Sequence, residues 1–253
     1  MTEKLQKASF GKRIIAAIFD GITITILAVG LAVALSSALK YDSYMDTVNN
    51  AYTKYETQYG VEFQITQQEY LKLDAEAKEN YDAAYKALSE DKDVTYAYNM
   101  LINLTLIILT FSVLFGVIIV EFIVPLIFGN GQTLGKKIFG IALMHVDSIK
   151  VSGVQLFARS VLGKFTFEIM IPLAIIIMIF FNLIGIVGTL ILFAILVAEI
   201  ICLATTRKNM LLHDVIAATV CVDMASQMIF DSAKAKEEYI KRKAAEKAER
   251  SPY

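Results

Sequence analysis

The sequence predicts an all-α, polytopic membrane protein with about four transmembrane helices. Of its 253 residues, 56% are hydrophobic and only 3 are proline, so the chain has more apolar side chain than a soluble core of this size needs. Three apolar tracts, at 14–39, 99–128 and 165–204, reach the ~20 residues that cross a bilayer. The third is about twice that length, and Asn182 to Gly185 predicts a turn that divides it into a hairpin of two spans.

The first tract follows a short basic segment, 1–13, and this arrangement also occurs in signal peptides. The sequence Ala32-Val33-Ala34 resembles a cleavage site. However, the apolar run is longer than that of a signal peptide and contains Asp20, so we interpret it as an uncleaved first span.

The distribution of Lys and Arg predicts the orientation. Segments 1–13, 129–164 and 205–253 carry four, five and nine of the 24 basic residues, and segment 40–98 carries six. Basic residues are enriched on the cytoplasmic side of membrane proteins. We therefore expect a multi-pass protein of the cell inner membrane with both termini in the cytoplasm.

Segment 40–98 is predicted to be a helical extracytoplasmic insertion. It contains twelve acidic residues and ten of the chain's 12 tyrosines. Side chains at three- or four-residue steps from Tyr41 to Tyr59 indicate an amphipathic helix that continues the first span and stops at Gly60, and Thr66 with Glu69 has the spacing of a capping box that begins another. The insertion is interpreted as a self-packed cap, with a partner-docking surface or an entry vestibule as alternatives; its tyrosines also suit interfacial anchors.

Segment 129–164 is predicted to lie along the cytoplasmic membrane surface. Thr133 suits the N-cap of a short helix, and 141–146 reads as a strand. A capping box at Ser152 opens an amphipathic helix that presents Arg159 to lipid headgroups, which makes Arg159 an interfacial residue. The glycines and lysines at 129–137 do not fit a phosphate-binding loop, which argues against nucleotide hydrolysis.

Segment 205–253 is predicted to contain a second interfacial helix, capped by Asn209 and carrying His213, and then a charged tail. Because the only two cysteines, Cys202 and Cys221, fall at the cytoplasmic end of the last span and just beyond it, no structural disulfide is expected. The sequence has no metal-ligand spacing, so no metal or other cofactor is expected, and no nucleic-acid partner is predicted.

Three stretches resemble the RDD family of membrane proteins: SFGKRIIAAIFDGI, GQTLGKKIFGIALMHVD with the Arg159 helix, and RKNMLLHDVIAATV. Arg13 and Asp20 match the Arg and the first Asp of the family name, and Asp214 matches the second Asp. The resemblance implies a small bacterial inner-membrane protein suspected of transport, with cation and proton exchange as the usual suggestion. It also implies that Asp214 folds against Arg13. The hairpin and the acidic insertion depart from the family pattern.

Three carboxylates inside the apolar tracts, Asp20, Glu121 and Glu199, are predicted to form a buried acidic cluster. At ~1.5 Å per residue each lies roughly 9–10 Å from the cytoplasmic end of its span. A charge in the apolar layer costs at least ~2.5–3.5 kcal/mol, so we expect the three to face one another and Arg13. Crowded carboxylates cannot all ionise, and one that holds a proton can exchange it for a cation. Pro125 leaves the carbonyl of Glu121 without its helical donor, which suits Na⁺.

Two functions follow. In the first, the protein is a cation/proton-coupled transporter in which Asp20, Glu121, Glu199 and Asp214 are ion- or proton-binding candidates, and an oligomer is expected because four spans are few for a carrier. In the second, the polar cluster is static and the protein is a non-transporting scaffold or regulatory partner that acts through its extracytoplasmic segment. Membrane lipid surrounds it in both. No nucleophile and base are spaced for hydrolysis, so it is not expected to be an enzyme.

Overall fold

The computed structural model describes residues 6–206 and 208–250, and it confirms an all-α polytopic membrane protein with little strand. Four helical stretches are long and apolar enough to cross a membrane: Phe10–Ala38, Lys92–Phe128, Gly153–Phe180 and Gly185–Thr205. Lys4 and Arg207, which contribute to the predicted charge bias, lie outside the described residues, as do 251–253 of the predicted tail.

The chain forms twelve α-helices, two π-helices and two strands over the described residues. In chain order they are α1 (Phe10–Ala38), α2 (Tyr41–Tyr59), α3 (Gln67–Lys72), α4 (Ala75–Glu90), α5 (Lys92–Val117), π1 (Ile118–Ile123), α6 (Val124–Phe128), α7 (Leu134–Ile138), β1 (Ile141–His145), α8 (Gly153–Phe157), π2 (Ala158–Met170), α9 (Ile171–Phe180), α10 (Gly185–Thr205), α11 (Leu212–Ile216), β2 (Thr219–Asp223) and α12 (Ala233–Arg250). The second span comprises α5, π1 and α6, and the third comprises α8, π2 and α9.

The third span begins twelve residues earlier than predicted, at Gly153 rather than at 165. The capping box at Ser152 is present, and the helix that it opens continues without interruption into the third span. The hairpin turn lies where the sequence predicts it, because α9 ends at Phe180 and α10 begins at Gly185. Asn182 takes a left-handed conformation there, with φ 56°, which asparagine tolerates better than most residues.

The two π-helical stretches change which side chains share a face. Backbone bonds of five-residue span run from the Ile171 amide to the Thr166 carbonyl and from the Val124 amide to the Ile119 carbonyl. In an α-helix, residues five apart are rotated by about 140° and residues nine apart by about 180°. The wider π turn brings such residues onto one face. Arg159, Lys164 and Glu168, at steps of five and four, therefore point to the same side of π2.

The strands form one antiparallel pair, with Ile141 opposite Asp223 and His145 opposite Thr219. The strand predicted at 141–146 is confirmed. The helix predicted from an Asn209 cap is wrong at both ends: α11 begins at Leu212, with Leu211 in the N-cap position, and it ends at Ile216, after which the chain turns into β2. The alternating apolar residues of β2 pack with β1 in a small core of Ala142, Met144, Val220 and Val222, and this burial outweighs the weak helical pattern.

The described chain divides into two compact units, one formed by residues up to 28 and from 113 onward and the other by 29–112. In the second unit, α2 ends at Gly60 in the left-handed conformation, and the capping box at Thr66 is present, as predicted. Two details differ. Lys40, with φ 55°, separates α2 from α1, and Asp74 caps a new helix where one continuous helix was expected.

The first unit contains a very close approach between helices at Gly135. Its amide lies 2.8 Å from the carboxylate of Asp20, and a Cβ placed on it would overlap the backbone carbonyl of Ala16. Ala16 is 1% exposed, so neither side has room to move. The absence of a side chain at Gly135 therefore allows α7 to dock on α1.

We expect Gly135→Ala to destabilise the fold by about 1–3 kcal/mol or more, because the added methyl group meets backbone instead of a flexible side chain. The measurement is the thermal unfolding midpoint of the detergent-purified protein. Gly21→Ala is the matched control, since a Cβ at Gly21 meets nothing within 4 Å. Equal midpoints for the two variants would contradict the close docking.

Candidate functional site: a buried charge network

Asp20 accepts two hydrogen bonds that attach α1 to the start of α7. Its carboxylate is 2% exposed and accepts from the Thr133 hydroxyl at 2.5 Å and from the Gly135 amide at 2.8 Å. Thr133 is the predicted N-cap of α7, and its hydroxyl oxygen also accepts from the Lys136 amide at 3.2 Å. A carboxylate at the first turn of a helix is stabilised by the exposed amides there. Both oxygens of Asp20 are therefore engaged.

Glu121 lies on π1 and is paired with three cationic side chains. Its carboxylate is 2% exposed. Oε2 lies 3.3 Å from Lys136 Nζ and 3.3 Å from Arg159 Nη1, while Oε1 contacts Lys164 Nζ. Such an anion is stable within an apolar span because each of its two oxygens has at least one charged donor.

Asp214, at the start of α11, is fully buried and paired with two arginines. Oδ2 lies 3.2 Å from Arg13 Nη2, and Oδ1 lies 3.0 Å from Arg159 Nε and accepts from the Thr219 hydroxyl at 3.1 Å. Burial alone would raise the pKa of Asp214, but nearby positive charge, that of His213 when its ring is protonated and that of Arg159 and Arg13 always, holds that pKa well below its usual range. Asp214 is therefore ionised.

The sequence suggested that Arg13 and Asp20 face each other. Among the described residues, however, the ionic partner of Arg13 is Asp214 and not Asp20. Besides Asp214, it donates from Nη1 to the Asn209 carbonyl at 2.6 Å. The resemblance to the RDD family implied this pairing of Arg13 with Asp214. Arg13 thus ties the N-terminal end of α1 to the segment around α11.

The interfacial prediction for Arg159 and His213 is wrong. Their residues are 3% and 4% exposed, and both lie inside the network. The guanidinium of Arg159 reaches Glu121 and Asp214 and places Nη2 2.8 Å from Nε2 of His213. The reason is the π-helical turn of π2, which rotates Arg159 from the predicted headgroup side toward the other spans.

His213 connects Arg159 with a further carboxylate, Glu168 of π2. Its Nδ1 lies 2.6 Å from Glu168 Oε1, and its backbone amide donates to the same oxygen at 3.2 Å. Because a guanidinium can only donate, Nε2 accepts from Arg159, and the ring proton is on Nδ1, directed at Glu168. Burial and the adjacent charge of Arg159 lower the pKa of His213, so the ring is neutral at neutral pH.

Glu199 of α10 is the least satisfied member of the network. Its Oε2 accepts from the Leu212 amide at 3.1 Å, whereas its buried Oε1 has no hydrogen-bond partner among the described residues. The carboxyl groups of Glu168 and Glu199 lie close enough that each affects the charge of the other.

All seven predicted site residues lie in one connected network, but the arrangement differs from the predicted acidic cluster. Basic groups and amides separate Asp20, Glu121 and Glu199, and only Glu199 faces another acid. Sequence reasoning missed four members of the network: Thr133, Lys136, Lys164 and Glu168. The capping pattern of α7 could have identified Thr133. The other three join the network only because π2 turns Lys164 and Glu168 to one side and because α7, which carries Lys136, packs against α1.

The network contains one more carboxylate than cation. Among the described residues, its acids are Asp20, Glu121, Glu168, Glu199 and Asp214, and its cations are Arg13, Lys136, Arg159 and Lys164. His213 is neutral, and the excess negative charge falls on the Glu168–Glu199 pair. Two carboxylates in contact away from bulk water cannot both stay ionised without a compensating charge.

The RDD family model matches residues 7–218, which is most of the chain. This chain belongs to the RDD family. The match includes Arg13, Asp20 and Asp214, and together with the four apolar helices it identifies a multi-pass RDD membrane protein. Neither the curated proteins nor the solved structures compared with this RDD protein include a match.

Both cysteines of this RDD protein, Cys202 and Cys221, have free thiols. Within residues 6–206 and 208–250, no group of three or more His, Cys, Asp or Glu side chains is arranged to hold a metal ion.

We expect the stability of this RDD protein to fall in mild acid partly through His213. The groups that face this ring are Arg159 and Glu168 from π2 and Asp214 from α11, with Glu199 behind Glu168. Because the pKa of His213 is lowered in the folded state, the unfolded chain binds more protons below about pH 6.5, and stability is lost as pH falls, by at most ~1.4 kcal/mol per pH unit.

The measurement is the unfolding midpoint between pH 7.5 and 5.5. His213→Gln is expected to flatten the profile, whereas His145→Gln, which alters the other histidine, should keep the wild-type slope. A wild-type slope in His213→Gln would contradict the assignment of a neutral, buried ring.

Proposed function

We propose that this RDD protein is a carrier of the cell inner membrane that exchanges a proton for a monovalent cation, with both termini in the cytoplasm. The exchange site is the Glu168–Glu199 pair with His213 beside it. The observation that carries the proposal is the single excess carboxylate of the buried network, located where Glu199 Oε1 lacks a partner. One proton, or one monovalent cation, restores neutrality.

The other acids act as a fixed frame in this proposal. Asp20 has both oxygens bonded to the start of α7, Glu121 has three cationic partners, and Asp214 has two. Removing one partner of such a buried pair costs about 3–5 kcal/mol, so these bonds are not broken in each transport cycle. The exchangeable role thus moves from Asp20 and Glu121, where the sequence placed it, to Glu199 and its neighbour Glu168.

The pair offers a monovalent cation the oxygens that it prefers. Carboxylate oxygens bind hard cations such as Na⁺, and transporters build such sites near interrupted helices. The pair lies on a π-helical part of the third span and on the fourth span, and a proton and a metal cation compete there for the same oxygens. This competition couples the movement of one ion to the other.

Transport by a four-span chain is expected to involve a homo-oligomer. Apolar side chains on the outer faces of the spans are available to membrane lipid or to a second copy; Ile26 and Val33 of α1, for example, are each more than 60% exposed. A carrier of this kind performs no covalent chemistry, so the proposal assigns no enzymatic activity.

We expect proteoliposomes to show proton movement driven by a Na⁺ or K⁺ gradient, and Glu199→Gln to reduce it at least tenfold. The carboxamide keeps an acceptor for the Leu212 amide but neither ionises nor shares a proton. The measurement is a pH-sensitive dye inside the vesicles. Glu246→Gln on α12, where the carboxylate makes only an exposed i,i+4 ion pair, is the control.

Wild-type vesicles without flux under any Na⁺ or K⁺ gradient would contradict the proposal, as would full flux in Glu199→Gln. Asp20→Asn is a less direct test, because losing the contacts to α7 lowers the yield of folded protein whether or not the protein transports ions.

A non-transporting scaffold or regulatory partner is the second candidate, and the aromatic surface of the 29–112 unit favours it. Tyr85, Tyr96 and Tyr98 are each at least 55% exposed, and exposed tyrosines are frequent in protein interfaces. In that case, deletion of 42–92 abolishes a co-purifying membrane-protein complex, and Glu199→Gln leaves the complex intact.

A further inference from the structure

A cavity of about 110 Å³ lies beside the network in the first unit. Its wall includes the carboxylate of Asp20, which is hydrogen-bonded to the start of α7, and the charged or polar side chains of Arg13, Lys136, Arg159, Lys164, His213 and Cys221. Phe10 and Ile14 of α1 also belong to the wall and are 56% and 43% exposed, so the cavity extends toward the surface near the beginning of α1. It has room for a few water molecules.

His213 is the one residue of the cavity wall that is hydrogen-bonded to the Glu168–Glu199 pair among the described residues. Neither acid of the pair lines the cavity itself. His213, on α11, packs so closely on π2 that a Cβ at Gly163 would lie 2.6 Å from the Cβ of His213. A path from the cavity to the pair therefore passes through the imidazole ring.

From this geometry we infer that His213 relays protons between the cavity and the Glu168–Glu199 pair, on the side of the membrane that carries the chain termini. The inference rests on the proposed exchange function and adds a route and a residue to it. The ring has the two nitrogens that a relay needs: Nδ1 carries a proton 2.6 Å from Glu168 Oε1, and Nε2 is an acceptor.

The transfer balances without any co-reactant. A hydrated proton (H3O⁺) in the cavity gives a proton to Nε2 and becomes neutral water, as the Nδ1–H bond breaks and an O–H bond forms on Glu168 Oε1; the single positive charge thereby passes from the cavity to the pair. Return of the ring to its first tautomer completes the relay.

Arg159 controls the relay because its Nη2 occupies Nε2 at 2.8 Å in the structure. That contact must open before Nε2 accepts a proton. When it opens, Arg159 still keeps its bonds to Glu121 and Asp214, so its charge stays compensated. The remaining cations of the wall are likewise paired: Arg13 with Asp214, and Lys136 and Lys164 with Glu121. The positive charges of the cavity wall are therefore compensated by carboxylates and do not exclude a proton from the cavity.

The test compares cation-driven proton flux and equilibrium binding of radioactive Na⁺ in wild-type, His213→Gln and His145→Gln proteins. Glutamine retains a donor for Glu168 and an acceptor for Arg159, but it cannot carry a proton through. We expect His213→Gln to lose at least tenfold in flux while it still binds Na⁺, and His145→Gln to behave as wild type. Glu199→Gln should lose both.

Imidazole added to His213→Ala provides a second readout. The cavity is large enough to admit the free ring, and we expect flux to recover with increasing imidazole. A purely structural role of His213 would give no recovery.

The outcomes separate the relay from the function. If the wild type transports protons and His213→Gln transports them equally fast, the relay is overturned and the exchange proposal stands. Loss of both flux and Na⁺ binding in His213→Gln, without recovery by imidazole in His213→Ala, also overturns the relay. Absence of flux in the wild type overturns the exchange proposal and the relay with it.

Discussion

The network depends on the three contacts that the guanidinium of Arg159 makes with Glu121, Asp214 and His213. From one position on π2 it reaches the carboxylate of Glu121 on the second span, the carboxylate of Asp214 on α11 and the imidazole of His213. A lysine offers its three donors from a single nitrogen, whereas the planar fork of arginine spreads its donors over three nitrogens in fixed directions and so reaches partners that lie farther apart. The buried acids on either side are stable as anions because this fork, together with Lys136, Lys164 and Arg13, compensates them.

That arrangement explains why the first unit combines spans with a small sheet outside them. The β1–β2 pair and α7 hold Thr133, Lys136 and Thr219 against the ends of the spans, and α11 carries Asp214 and His213 to the same place. Breaking one of these pairs exposes a buried charge, which costs far more than a surface salt bridge is worth. The network thus favours one packing of the spans. Within it, the Glu168–Glu199 pair is where the negative charge exceeds the positive charge of the neighbouring groups.

The sequence predicts most of the fold because the signals involved are long and local. Apolar length gives four spans, capping residues give the starts of α3, α7 and α8, and Gly60 gives the end of α2. The partners within the site were not predictable in the same way. An α-helical period separates Arg159 from Lys164 by about 140° and places Glu168 opposite Arg159, whereas the π-helical turn of π2 brings the three side chains to one side. The pairing of Arg13 with Asp214 joins residues 201 positions apart and was implied by family resemblance alone.

The central claim is that one proton and one monovalent cation compete for the same excess carboxylate. It is tested most directly by measuring proton release when Na⁺ or K⁺ is added to the purified protein in weakly buffered detergent solution near neutral pH. The account predicts release of about one proton per cation bound, and no release in Glu199→Gln, because the bound cation replaces the proton that neutralises the network. Cation binding without proton release in the wild type would contradict it.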